Sequence, residues 1–106
     1  MAHYLFRASY TQAGIQGILK EGGSARIKAV EVLIGSLGGK VESAYWAFGA
    51  DDFVMIAELP DNVAAAAAAA TVGATGTSSV STTVLLTAAE MDAAVAKHPS
   101  FRPPGA

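Results

Sequence analysis

The sequence predicts an α+β domain, with four strands in one antiparallel sheet and helices against one face of it. Three observations predict this. Short stretches with apolar residues at every second position alternate with longer ones in which they recur at intervals of three and four. Glycine pairs, a Pro-Asp step and Ser/Thr-rich segments punctuate these stretches at close spacing. The 106 residues make one domain, long enough to bury a core without staples.

The first strand runs from His3 to Tyr10: Tyr4, Phe6, Ala8 and Tyr10 point one way, and His3, Leu5, Arg7 and Ser9 the other. Thr11 then offers an N-cap to a helix carrying Ile15, Ile18 and Leu19, which ends at Gly22-Gly23. Ser24 restarts a helix in which Ile27, Val30, Ile34 and Leu37 form one stripe, and Gly38-Gly39 stops it. A second strand spans Lys40 to Phe48. Strict alternation puts Val41, Ser43, Tyr45 and Ala47 on one face and Glu42, Ala44, Trp46 and Phe48 on the other.

The third strand spans Asp52 to Leu59, with Phe53, Met55, Ala57 and Leu59 facing the helices. Pro60-Asp61 starts an Ala-rich helix reaching about Val72, whose small side chains permit a close approach to the sheet. Val80, Thr82, Val84 and Leu86 alternate with Ser79, Ser81, Thr83 and Leu85 in a fourth strand, polar enough for an edge. "TAAE", Thr87 to Glu90, is a capping box before a short helix to about Lys97. Residues 1–98 thus form the domain, and residues 99–106 a Pro-rich tail. Phe101 is expected to anchor that tail across a neighbouring subunit or over its own sheet.

The order β-α-β-β-α-β plus a terminal helix is the split arrangement of ferredoxin-like folds, with strands one and three side by side in the centre. The two crossover helices can cover only one face of such a sheet. The second face, holding His3, Leu5, Arg7, Ser9, Asp52, Val54, Ile56 and Glu58, is expected to meet a second copy of the chain or to form a shallow cavity. A composition of 52% hydrophobic and only 15% charged residues points the same way, to apolar surface hidden in a homo-oligomer.

"YTQAGI" after the first strand, "LGGKVESAYWAFG" into the hairpin, "DFVMIAELPD" and "STTVLLT" occur here in one order. On these pieces the chain, to about residue 95, resembles the GYD-domain proteins of the dimeric α/β-barrel superfamily. The family's Gly-Tyr-Asp signature corresponds to Gly49-Ala50-Asp51-Asp52, where the Gly and the final Asp match and Asp51 stands where the family usually has Tyr. The resemblance implies a ferredoxin-like subunit and face-to-face dimers, and brings no established reaction.

Other classes are unsupported. The net charge is −2 and the seven Lys and Arg residues are scattered, so no nucleic-acid footprint exists. The absence of cysteine excludes thiol catalysis, disulfides and Cys-based metal sites and fits a cytoplasmic address. The longest apolar run, Val63 to Ala70, is far short of the roughly 20 residues of a membrane span. Neither a phosphate-binding glycine loop nor a G-x-S-x-G elbow occurs.

The candidate catalytic residues are Glu58, Asp52, Arg7 and Tyr45. Glu58 is expected to form a structural ion pair with Arg7, or else to act as a general base with a raised pKa. Asp52 is expected to accept backbone hydrogen bonds at the hairpin, its alternative role being that of a base. Of the neighbours Tyr45 and Trp46, one belongs to the core and the other to the seam or an edge. His3 has no second histidine at ligand spacing and His98 precedes a proline, so no metal and no cofactor is expected. The expected function is a homo-oligomeric binding or structural module; the alternatives are a cofactor-independent monooxygenase- or isomerase-like enzyme acting on a hydrophobic small molecule, and a regulatory interaction protein.

Overall fold

A computed structural model describes residues 1–106. The elements are β1 (Ala2–Tyr10), α1 (Gln12–Glu21), α2 (Gly23–Ser36), β2 (Lys40–Trp46), β3 (Phe53–Leu59), α3 (Asn62–Gly73), β4 (Ser78–Leu85) and α4 (Ala88–Val95). The four strands form one antiparallel sheet in the order β2-β3-β1-β4. This is the ferredoxin-like arrangement with an added C-terminal helix. The Ser/Thr-rich β4 is an edge, as its composition suggests.

The core lies where the alternation predicts it. Tyr4, Phe6 and Ala8 from β1 and Phe53, Met55, Ala57 and Leu59 from β3 are buried under Ile34 of α2 and Ala65 and Ala68 of α3. Large side chains come from the sheet and small ones from α3, so α3 can lie close. The Tyr4 hydroxyl donates to Asn62 Oδ1 at 2.7 Å, which satisfies a phenol at the heart of this layer. The caps read from the sequence are all present: Thr11 accepts from Gly14 N–H, Asp61 from Ala64 N–H, and Thr87 and Glu90 form the reciprocal box.

Two expectations need correction. β2 does not alternate strictly. Val41 pairs with Ala57 and Ser43 with Ile56, so Glu42 is an extra residue, a β-bulge that shifts the phase of the strand. Val41 therefore shares the helix-facing side with Ala44 and Trp46, and Glu42 shares the open side with Ser43 and Tyr45.

α1 buries none of Ile15, Ile18 and Leu19 fully. It packs through Gly14, whose Cα approaches Thr77 so closely that a Cβ would meet the Thr77 carbonyl, while Ile18, one turn on, is half-buried and Leu19 turns to solvent.

The tail does not fold over its own sheet. Every residue from Leu86 to Ala106 is exposed, Phe101 at 79%. α4 and the tail stand off the body. The radius of gyration is accordingly 16.9 Å, against about 13 Å for a compact chain of this size. Met91 and Val95, four residues apart, are the longest apolar side chains α4 carries, and both are exposed on this chain.

Candidate functional site

The helices leave one face of the sheet open. Along its middle run Leu5, Val54 and Ile56, half-buried by neighbouring side chains although no helix covers them. Arg7, Ser81 and Thr83 lie beside them toward β4, and Ser43 and Tyr45 toward β2. Tyr45 is 69% exposed and Trp46 packs inward, which divides the adjacent aromatic pair as expected.

One end of this face is ionic. His3 on β1 stands opposite Glu58 on β3, and Glu58 stands opposite Lys40 on β2. Glu42, turned onto this face by the bulge, reaches over β3 to His3: its Oε1 lies 2.5 Å from Nδ1. Lys40 Nζ is 3.3 Å from Glu58 Oε2. One ligand atom from each of His3, Glu42 and Glu58 lies within 4.8 Å of the other two. Beside the cluster a hollow of about 230 Å³ is lined by His3, Glu42, Ile56, Leu85, Leu86 and Thr87. Glu90 at the start of α4 has its pKa lowered, first by the Thr87 N–H and hydroxyl that bond it and then by the charges of His3 and the N-terminus.

The expected ion pair between Glu58 and Arg7 does not form. Arg7 pairs in register with Val54, four residues from Glu58, or roughly 13 Å along the strand. Belonging to the same face does not make two residues neighbours, and Lys40, directly across from Glu58, takes the role instead.

At the opposite end of β3, Asp52 behaves as the turn residue it was read to be. Its Oδ2 accepts the Tyr10 N–H at 2.8 Å, and its own N–H donates to Ala8 O at 2.8 Å. Ser9 Oγ donates to Ala50 O at 2.7 Å, and Gly49, with φ of 146°, supplies the bend. The hairpin is thus tied to the end of β1. Asp52, immediately before β3, and Glu58 within it are six residues apart, roughly 20 Å in extended chain, so the four candidates do not form a single constellation. His98 lies on the exposed tail.

The helix side holds two further spaces. An apolar cavity of about 50 Å³ lies between the sheet, α2 and α3, next to Phe6, Phe53, Met55 and Ala68. A wider hollow of about 290 Å³ opens beside Tyr10, Gly14, Glu21, Arg26, Thr75 and Thr77. Burial, followed by the negative charges of Asp52 and Glu21, raises the Tyr10 pKa; Arg26 opposes them. Tyr10 also stacks on Trp46 at 5.8 Å. Trp46 Nε1 is buried without a partner, and Gly23 leaves the room in which it sits.

Sequence reasoning missed the grouping of His3 with Glu42. Period-two counting groups Glu42 with Ala44 and Trp46, which the structure places on the helix side. The signal available was that grouping, because a glutamate sharing a buried face with Trp46 would have no partner, which argues for a bulge.

The class defined by this fold is a small ferredoxin-like α+β protein with one sheet face open. The GYD domain family model matches residues 4–95, nearly the whole chain, and the protein belongs to the GYD domain family. No curated protein and no solved structure matches it. No helix is long and apolar enough to cross a membrane.

Proposed function

We propose that the chain is a subunit of a homo-oligomeric binding module in which the open sheet face of one copy packs on that of another. One observation carries the reading: Leu5, Val54 and Ile56 form an apolar strip at the centre of a face that the chain's own helices leave uncovered. Apolar residues at the centre with charged ones toward the ends is the usual anatomy of an interface. Sedimentation of Leu5→Glu and Ile56→Glu tests it, since each substitution would force an unpaired charge into the seam. The wild type should sediment as a dimer or larger and both variants as folded monomers. A wild-type monomer at micromolar concentration, or native-size assemblies from both variants, overturns the proposal.

A second reading makes the same assembly an enzyme acting, without a cofactor, on a hydrophobic small molecule. The hollow beside His3 favours it, because Ile56, Leu85 and Leu86 supply apolar wall next to a hydrogen-bonded acid and imidazole. Native mass spectrometry of the purified assembly looks for a retained apolar molecule that is lost from a Leu85→Glu variant; conversion of that molecule by the wild type and not by the variant supports the second reading, and retention without conversion supports the first.

A further inference from the structure

We propose that His3, Glu42 and Glu58 bind a divalent first-row transition-metal ion on the open sheet face. The three side chains come from three strands of one sheet, with one ligand atom of each within 4.8 Å of the others. All three belong to one chain, so the proposal does not rest on the pairing of sheets.

The backbone is arranged for this set. His3 and Glu58 are a directly opposed pair on β1 and β3, and strand register holds them together. Glu42 comes from β2, one strand further away, and joins them because the bulge adds a residue at that point. Bulges recur where a strand must re-aim a side chain. Regular alternation would have turned Glu42 into the helices.

The donor chemistry selects the class of ion. One imidazole nitrogen and two carboxylate oxygens suit Zn²⁺, Mn²⁺ or Fe²⁺ better than the soft ions that need sulfur. Bound as a neutral ring and two anions, the set balances a divalent charge. Two carboxylates this close repel each other, and the cation now beside them is Lys40, paired at 3.3 Å with a side chain 70% exposed. A lysine on a flexible stem can swing into solvent when an ion arrives. The ion would take the place of the hydrogen between His3 Nδ1 and Glu42 Oε1, and the neutral ring would then carry its one hydrogen on Nε2. Bonds of about 2.0–2.2 Å to nitrogen and oxygen then require the three groups to draw together around the ion.

Three protein ligands leave positions open, and two of the three, His3 and Glu42, also line the hollow bounded by Ile56, Leu85, Leu86 and Thr87. A water or an oxygen-bearing small molecule would complete the shell, the coordination pattern of metal sites that act on ligands and do not merely brace a fold.

The test is calorimetric titration of the chelator-treated full chain with Zn²⁺ and, separately, Mn²⁺, beside Glu42→Gln, His3→Ala and a distant control, Glu31→Gln. One ion per chain is expected, with binding weakened at least tenfold in Glu42→Gln and His3→Ala and unchanged in the control, since even outer-shell changes cost about 10–100-fold. Lys40→Met should tighten binding by removing the competing cation. Co²⁺ in place of Zn²⁺ should give d–d absorption that Glu42→Gln abolishes, a readout independent of folding stability. Equal binding by wild type and Glu42→Gln, or no wild-type binding below millimolar Zn²⁺ and Mn²⁺, overturns the proposal.

Discussion

His3 and Glu42 touch across a strand that belongs to neither: Nδ1 and Oε1 are 2.5 Å apart although β3 lies between β1 and β2. Two strand spacings separate their backbones, roughly 9.5 Å. Side chains of this length close such a gap only when both lean over the intervening strand, and Glu58 lies beneath them on it. The contact therefore joins three strands at one end of the open face. Its counterpart at the far end is Asp52, which ties the β2–β3 hairpin to β1 through the Tyr10 N–H.

That second tie yields a stability prediction. Asp52→Ala removes the acceptor of a partly buried backbone N–H, and an orphaned group of this kind costs about 1–3 kcal/mol. Asp52→Asn keeps one acceptor oxygen and should lose less than half as much. Urea denaturation of the three proteins measures both. An Asp52→Ala midpoint equal to that of the wild type would show that water serves Tyr10 equally well.

Tyr10 predicts a loss of stability at alkaline pH. Its folded pKa is raised, chiefly by burial, above an unfolded value near 10. For a group with a raised pKa, the folded state holds its proton more tightly. The contribution is present in full below about pH 10 and is lost as pH rises through the folded value. Melting temperatures followed from about pH 9 to about pH 11 should fall more steeply for wild type than for Tyr10→Phe. Parallel curves would mean that the phenol ionises as freely in the fold as outside it.

The sheet and its core were legible because they rest on local periods: alternation through Tyr4, Phe6 and Ala8, a stripe through Ile34, and caps at Thr11, Asp61 and Thr87. Asp52 was legible in part: turn chemistry marks it as a backbone acceptor, while its donor, the Tyr10 N–H 42 residues away, is set by strand order. The ionic end was not. His3 and Glu42 are 39 residues apart in sequence and meet through a one-residue irregularity that leaves no periodic trace. Glu58 was placed on the correct face but matched with Arg7, because alternation defines a face and says nothing about position along it. Register supplies that, and it gives Glu58 to His3 and Lys40.

The bulge supports one more prediction. Deleting Glu42 should leave a regular strand, because the residues on either side already follow the register of β3. Val41 pairs with Ala57 and Ser43 with Ile56, so joining them directly gives consecutive pairs with Val41 and Ala44 inward and Lys40 and Ser43 outward. No core side chain has to change face, and the Lys40–Glu58 pair is retained. The deletion variant should fold with a denaturation free energy within about 1 kcal/mol of wild type, as surface changes that spare the core usually do. His3 would lose its partner, and Zn²⁺ affinity should drop at least as far as in Glu42→Gln. Hydrogen exchange along β2 checks the register: protection at Ser43 and Tyr45, whose N–H groups face β3, should persist. A variant that fails to fold, or one whose Ser43 and Tyr45 amides exchange freely, would show that the bulge is needed for the twist of the sheet and not for aiming a ligand.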